Sequence, residues 1–507
     1  MYEFIKKYNL HFIPFIFLIM LFLLIRMRLS FSYSFDNDGL EYYFVHVMQR
    51  IMLHKPIYPN PESFPFENCL YTPIYPYLCS IIIGFFKLDA ITNLYKTYVL
   101  IRLFSYVLVL AQLYYLIKLI KFFTASKFHQ VLITALFLFL ITGHIFCIRP
   151  DALKLLFFSV FLYHLINYFF FKQKTRDAFI AVCSAVLAVY TKQDITIHIF
   201  LCFGILLFLA DKRKVLILAV SFGFICFICF ILCFLIFGKY VFSNLVLFNL
   251  QSVTEILKSY NIYFIIFSII RTFPLLILVI LNLKTLKKET DLKSASGFIV
   301  LCSLVFYIYS HLSILRAAAN LNYTYELLIF LVLNIALFLK LHTNKINQKL
   351  SLSVIILAGY IALLAVSNAI IQNYSMYEVK EQQFKKEYFA SVKESKTIKE
   401  LIGKEAVFLP NSKYMIFYAD ANMVTGHDMH IDRFIILYAS IHIYIKSKLT
   451  VINTDGYDSN FTNGTIKYIV IPKDSKSRKH VADFYPKYKA YSNTDNFLVY
   501  QFDKNSQ

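Results

Sequence analysis

The sequence predicts an all-α polytopic membrane protein of about eleven transmembrane helices, with interfacial helices in a long first outer loop and a small C-terminal α/β domain outside. Three observations carry that expectation. The 507 residues are 59% hydrophobic and 16% charged, with a mean hydropathy of +0.60, well above the roughly 45–50% apolar content of soluble domains. The apolar residues fall in runs of about 17–25, the length that crosses a bilayer core as a helix. After residue 373 the runs stop and a charged segment of mixed pattern begins, dividing the chain into a membrane domain, 1–373, and a soluble one, 374–507.

The runs lie near 10–27, 97–117, 130–148, 152–171, 178–191, 193–210, 215–237, 261–283, 296–315, 323–341 and 350–371. The first is too long, and too poorly followed by small residues, to be a cleaved signal peptide, and reads as an anchor. Trp is absent while Phe reaches 53 and Tyr 38, so the interfacial aromatic belt falls mainly to Tyr.

Short connections set the orientation. With Lys6 and Lys7 cytoplasmic, the connections 118–130, 172–177, 211–214, 284–293 and 340–349 are cytoplasmic too, and each is rich in Lys or Arg, as the positive-inside rule asks. The net charge of +21 is therefore a topological signal and does not mark a nucleic-acid partner. The scheme requires that "YPYLCSIIIGFF" (75–86) not cross. Only about a dozen residues long and entered through Pro73 and Pro76, it reads as an interfacial or re-entrant helix in one outer loop, 28–96. Eleven crossings then place 374–507 outside, where a charged helical stretch (378–405) precedes strand-like runs such as "KYIVIP" and "FLVYQF".

On this topology the ionisable residues collect at the outer face. Asp36, Asp38 and Glu41 lie in the first loop, Arg149 and Asp151 in the second, Lys192 and Asp194 in the third, Lys239 in the fourth, and Arg316 to Glu326 in the fifth. An aspartate at a helix centre costs roughly 2.5–3.5 kcal/mol, so Asp151 is expected at the mouth of its helix, facing water or a cavity. Plainer readings stand beside these. Asp38 with Glu41 fits a D-x-x-E capping box, and Arg149-Pro150-Asp151 fits an ordinary helix start with Pro at its first position. Lys192 and Lys239 fit interfacial anchors. Arg271, near the middle of 261–283, is harder to explain plainly, because a mid-membrane arginine faces a partner or a cavity.

The familiar nucleotide-loop, dinucleotide, zinc-protease and serine-hydrolase motifs are all missing, and so is an internal repeat. Cys226, Cys229 and Cys233 have helical spacing but no His or carboxylate neighbours, which is no metal signature; the sequence leaves the cofactor unknown and a divalent cation open. Asn322, Asn460 and Asn463 begin N-x-T triplets, as chance gives in an Asn-rich chain.

The order of the features resembles the GT-C class of polytopic glycosyltransferases. The residues that carry the likeness are the single anchor, the acidic opening of the first outer loop, "KPIYPN" followed by "LYTPIYPYL", and "RPDALKLLFFSVFLYHL" after the third crossing. The class includes protein mannosyltransferases, lipid A aminoarabinose transferases and the bacterial RgtA/B/C/D-like group. The likeness spans 1–200 and, more loosely, "NLNYTYELL" and the C-terminal strand pair. It implies an inverting hexosyl- or pentosyltransferase of a bacterial plasma or inner membrane. Such an enzyme takes a sugar from a polyprenyl-phosphate carrier and gives it to a glycan, lipid or protein acceptor outside. The family's first-loop aspartate falls on Asp36 or Asp38; Asp38 is preferred because the following helix and the "PIY" turn lie at nearly the family's distance from it. The second acidic position falls on Asp151. Arg149, Lys192, Lys239 and Arg316 are the candidate cations for a phosphate leaving as an anion, with Glu41 a further candidate on the substrate side. The chain departs from the family with D-N-D for the usual D-E and Thr72-Pro73 for the usual Pro-Pro. The Lys that some relatives carry there is also missing, which leaves the phosphate ligand open.

Two other readings stand apart from an enzyme. A transporter or flippase of a lipid-linked saccharide would spread charge through the membrane depth and show repeats. A membrane scaffold would leave the paired aspartates without a role.

Overall fold

The computed structural model of the chain describes residues 13–34, 40–60, 69–89, 91–141, 143–247, 259–288, 291–314, 321–342, 380–409, 416–420, 423–425, 460–473, 478, 481–483 and 485–504. The run at 350–371 lies outside them, as do Asp36, Asp38 and Arg316.

The helices that concern the site are α1 (Ile13–Ser30), α2 (Glu41–Met52), α3 (Ile74–Phe85), α4 (Leu94–Ile120), α5 (Lys127–Leu140), α6 (Asp151–Ile166), α7 (Thr175–Thr191), α8 (Ile195–Leu209), α9 (Lys212–Phe237), α10 (Ser259–Lys288), α11 (Ala295–Ile314) and α12 (Tyr325–His342). Among the described residues six stretches are long and apolar enough to cross a membrane: Leu94–Ile120, Asp151–Phe171, Lys212–Phe237, Phe264–Lys288, Ala295–Ile314 and Leu321–Leu341. The chain is a multi-pass membrane protein. Helices α5, α7 and α8 have 14, 17 and 15 residues, at or below the shortest length that spans a bilayer, so the described helices do not by themselves supply eleven full crossings. Helix α3 has 12 residues, about 18 Å at 1.5 Å per residue, too short to cross. Pro73 caps it, and one side of it carries exposed Ile81 and Phe85.

The chain divides into two compact units: Met1–Phe31 with Arg102–Ile231 and Leu250–Val379, and Ser32–Ile101 with Leu232–Asn249 and Lys380–Gln507. In the first, α12 is the innermost helix. Every side chain from Leu327 to Leu333 is fully buried, as befits a helix that is apolar all round. Its Phe330 sets its ring edge-on against Phe158, Phe298 and Phe306. Helix α9 is the opposite case, exposing Leu216, Val220, Phe224 and Phe227, a face suited to lipid tails. Polar side chains join three helices deep in the bundle: Asn282 of α10 donates to Asn334 of α12, which donates to Ser303 of α11 at 2.6 Å. Such bonds hold apolar helices together where burial alone gives little advantage over lipid.

In the second unit α2 packs on α3, with Phe44 and Tyr75 edge to face at 5.8 Å. Asn244 ties the segments around it, accepting from the Cys69 amide at 2.7 Å and donating to the Pro59 carbonyl at 3.0 Å. A helix over 380–402 leads to a sheet of β1 (Val407–Leu409), β2 (Met423–Thr425), β3 (Tyr468–Pro472), β4 (Tyr488–Asn493) and β5 (Phe497–Phe502). The spatial order is β2-β1-β3-β5-β4, parallel at β1/β2 and β1/β3 and antiparallel at β3/β5 and β5/β4. One face closes over Phe461, Ile466, Ile469, Ile471 and Tyr488.

Candidate active site

Four helix ends of the first unit meet at one end of its bundle: the starts of α6, α8 and α12 and the finish of α7. Asp151 is the first residue of α6, with Pro150 as its N-cap. Its carboxylate meets the residues around it. Arg149 Nε lies 3.1 Å from Oδ2, and Lys192 Nζ lies 2.8 Å from Oδ1. Asn322 Nδ2 donates to Oδ1 at 3.2 Å. One turn into α6, Lys154 reaches Glu326 at 2.8 Å, Asp194 at 3.2 Å and Asp151 at 3.8 Å. Lys192 also lies 3.3 Å from Asp194 and stands over the Tyr323 ring. Three cations and three carboxylates thus alternate in a buried network.

Burial works against the charge on Lys192, yet Asp151 and Asp194 hold its pKa above the ordinary lysine value. Opposite charges at these distances more than offset desolvation. Asp151 is fully buried, and its oxygens accept from Arg149, Lys192 and Asn322, which takes up most of the roughly four acceptor sites of a carboxylate. His198, in the first turn of α8, packs its ring on Phe306 and Tyr309 beneath this network.

The structure therefore brings together Arg149, Asp151 and Lys192. It adds Lys154 and Asn322, which sequence reasoning missed, and it gives Asp194 and Glu326 ion-pair partners. The signal for Lys154 was present, since it follows Asp151 by three residues and shares its helix face. Asn322 carried only the N-x-T signal.

Glu41 and Lys239 belong to the second unit. Glu41 is fully buried as the first residue of α2, whose N-cap is Leu40 with no side-chain cap bond. The capping box is thus corrected: α2 starts two residues too late for Asp38 to be its N-cap. The helix-start reading of Asp151 shifts in the same way, because Pro150 is the N-cap and not the first helical residue. Lys239 is exposed, with its ammonium 5.2 Å from the Tyr240 ring, as an interfacial anchor would be.

Arg271 of α10 has a different character from the paired cations. Its Nε and Nη2 are buried and hydrogen-bond to nothing among the described residues. Its electrostatic neighbour is Tyr325, the first residue of α12. One turn earlier in α10, Ser268 meets His311 at 3.1 Å. Among the described residues no group of three or more His, Cys, Asp or Glu is arranged to hold a metal ion.

The fold, apolar helices with shorter helices among them and an α/β sheet, is similar over nearly the whole chain to those of solved structures. The chain superposes on ArnT from Cupriavidus metallidurans bound to undecaprenyl phosphate with a TM-score of 0.58, covering 96% of this chain and 97% of that one at 10% identity. The apo state of the same ArnT gives 0.56 at the same coverage. The archaeal oligosaccharyltransferase AglB from Archaeoglobus fulgidus, in complex with an inhibitory peptide and a dolichol-phosphate, gives 0.53 at 14% identity, covering 99% of this chain and 75% of that one. No family model matches the sequence, and no curated protein does.

Proposed function

We propose that the protein is a membrane glycosyltransferase that moves a hexosyl or pentosyl group from a polyprenyl-phosphate carrier to a glycan, lipid or protein acceptor, with inversion, on the extracytoplasmic face of a bacterial cell membrane. The observation that carries this reading is the likeness, over nearly the whole of both chains, to a structure holding undecaprenyl phosphate. AglB with its dolichol-phosphate points to the same carrier chemistry. Arg271 supports it on separate grounds. A buried guanidinium with open donors suits an anion with several acceptor oxygens, and a lipid phosphate is such an anion at membrane depth. Arg271 thereby fills the ligand role that the missing Lys leaves open.

The residues divide the chemistry. Asp38 is the general base: it takes the proton of the acceptor hydroxyl as that oxygen attacks the anomeric carbon on the side opposite the phosphate. Asp36 is a second carboxylate of the same segment. Asp151 orients Arg149 and Lys192, and these with Arg316 favour the anion that forms on the leaving phosphate. Glu41 and Lys239 are further substrate-side candidates.

Incubating membranes with labelled polyprenyl-phosphate sugars tests the reading. The expected result is label in an acceptor and accumulation of free polyprenyl phosphate. Carrier-linked sugar that only changes leaflet, with its sugar–phosphate bond intact, points to the flippase instead and overturns the proposal.

A further inference from the structure

The residues just before the acidic segment are held by a part of the chain remote in sequence. Glu381, near the start of the 380–402 helix, receives two hydrogen bonds through its two oxygens. One comes from Ser32 Oγ at 2.8 Å and the other from the Tyr33 amide at 3.0 Å. The Tyr33 ring stacks on Tyr95 at 4.1 Å and meets Tyr388 edge-on at 5.5 Å, while Lys385 lies over it at 5.7 Å. Tyr388 in turn accepts from the Tyr95 amide at 3.2 Å. Three residues beyond Tyr33 comes Asp36, and two beyond that Asp38.

The far side of the acidic segment is held from the same region. Helix α2 begins at Glu41, and its Gln49 donates to the Ile416 carbonyl at 2.7 Å, buried. Lys55, just after α2, donates to the Ala419 carbonyl at 2.7 Å. The 416–420 segment is itself fastened to the 380–402 helix, by Tyr418 donating to the Ser395 carbonyl and by Lys399 paired with Asp420 at 2.7 Å. Both flanks of the acidic segment therefore rest on one helix, directly through Glu381 and indirectly through 416–420.

We propose that Glu381 is a positioning residue for the acidic segment: through Ser32 and Tyr33 on one flank, matched by the α2 contacts on the other, the C-terminal region sets where Asp38 stands. The inference rests on the reading of Asp38 as the base. A general base has to lie within hydrogen-bond reach of the proton it removes, and small misplacement of a reacting group lowers rate steeply. Holding both ends of a five-residue connection between Ser34 and Leu40 restricts it more than holding either one.

The test uses the full-length protein in detergent or nanodiscs and compares Glu381→Ala, Glu381→Gln and Ser32→Ala. Two readouts are taken: transfer kinetics, and amide exchange of the peptide containing residues 32–41. Glu381→Ala is expected to lower kcat by on the order of tenfold or more while KM for the carrier stays within about twofold. Exchange at Tyr33 should rise. Glu381→Gln keeps an acceptor for one flank bond and should restore most of the rate. Should Glu381→Ala fail to accumulate, Ser32→Ala removes one bond only and is expected to show the same pattern in smaller degree. Glu381→Ala, or Ser32→Ala in its place, with parental exchange and parental kcat overturns the proposal. Equal losses in Glu381→Ala and Glu381→Gln that merely follow a fall in melting temperature overturn it too. If the parental protein transfers no sugar while exchange still responds to Glu381→Ala, it is the reading of Asp38 that falls.

Discussion

The ammonium of Lys192 lies 2.8 Å from the carboxylate of Asp151, 41 residues earlier in the chain. Both are buried, so the pair joins the start of α6 to the α7–α8 connection in a setting where neither charge can turn to water. Breaking a buried pair by removing one partner costs about 3–5 kcal/mol. Asp151→Asn is therefore expected to lower the melting temperature of the purified protein, with transfer falling alongside. A variant with unchanged melting temperature shows that the network does not depend on this carboxylate.

Lys154 faces three carboxylates, so Lys154→Met should be among the most destabilising single changes in the first unit. Adding Glu326→Leu removes one of the stranded negative charges. The double variant is expected to regain part of the loss, which appears as a favourable coupling in a double-mutant comparison. Simple additivity of the two changes contradicts the ion-pair geometry.

Asp38→Asn is expected to lower transfer by on the order of a hundredfold or more, and Asp36→Asn by much less. Because α2 is capped by Leu40 without a side-chain bond, neither change should alter its folding, and circular dichroism should be parental. The reverse order of activities moves the base to Asp36. Full activity in both, and in Asp151→Asn, removes these carboxylates from the chemistry.

Arg271→Leu takes away a buried charge that has no hydrogen-bond partner among the described residues on two of its nitrogens. Its melting temperature should hold or rise, since burying an unpaired charge is costly. Its KM for the carrier should rise at least about tenfold, the loss of a charge-assisted contact to phosphate. An unchanged KM leaves Arg271 without a role toward the phosphate.

The proposed orientation is read with an impermeant thiol reagent on intact cells, in a background lacking the native cysteines. Asp495→Cys, 84% exposed at its side chain, should be labelled. Lys174→Cys, between α6 and α7 and exposed, should not. Labelling of the second but not the first inverts the topology.

The helices were legible because a bilayer imposes a length and a polarity on each, and the runs up to 341 reappear as α1 and α4 to α12 within a few residues, except that α5 ends at Leu140 where the run extends to 148. The shortness of α3, 12 residues, was legible too, from Pro73 and Pro76. The network was half legible. Asp151 and Lys192 stood out as charges beside apolar runs, whereas Asn322 with Asp151 and Glu326 with Lys154 depend on contacts between residues 171 and 172 positions apart (326 − 154 = 172), which no local spacing encodes. The same holds for Cys69 with Asn244 and for Gln49 with Ile416: a side chain bonded to a distant backbone group leaves no periodic trace. The cap expected at Asp38 gave way because the helix begins at Glu41 with Leu40 as its N-cap, and a short polar residue ahead of a helix fits a turn or loop as well as a cap.

Ser32 and Glu381 are 349 residues apart, and at roughly 5–20 residues per second of synthesis the later one emerges some 20–70 s after the earlier. Until then neither hydrogen bond to Glu381 can form, so a chain truncated among the helices keeps Ser32 and Tyr33 without the carboxylate that holds them.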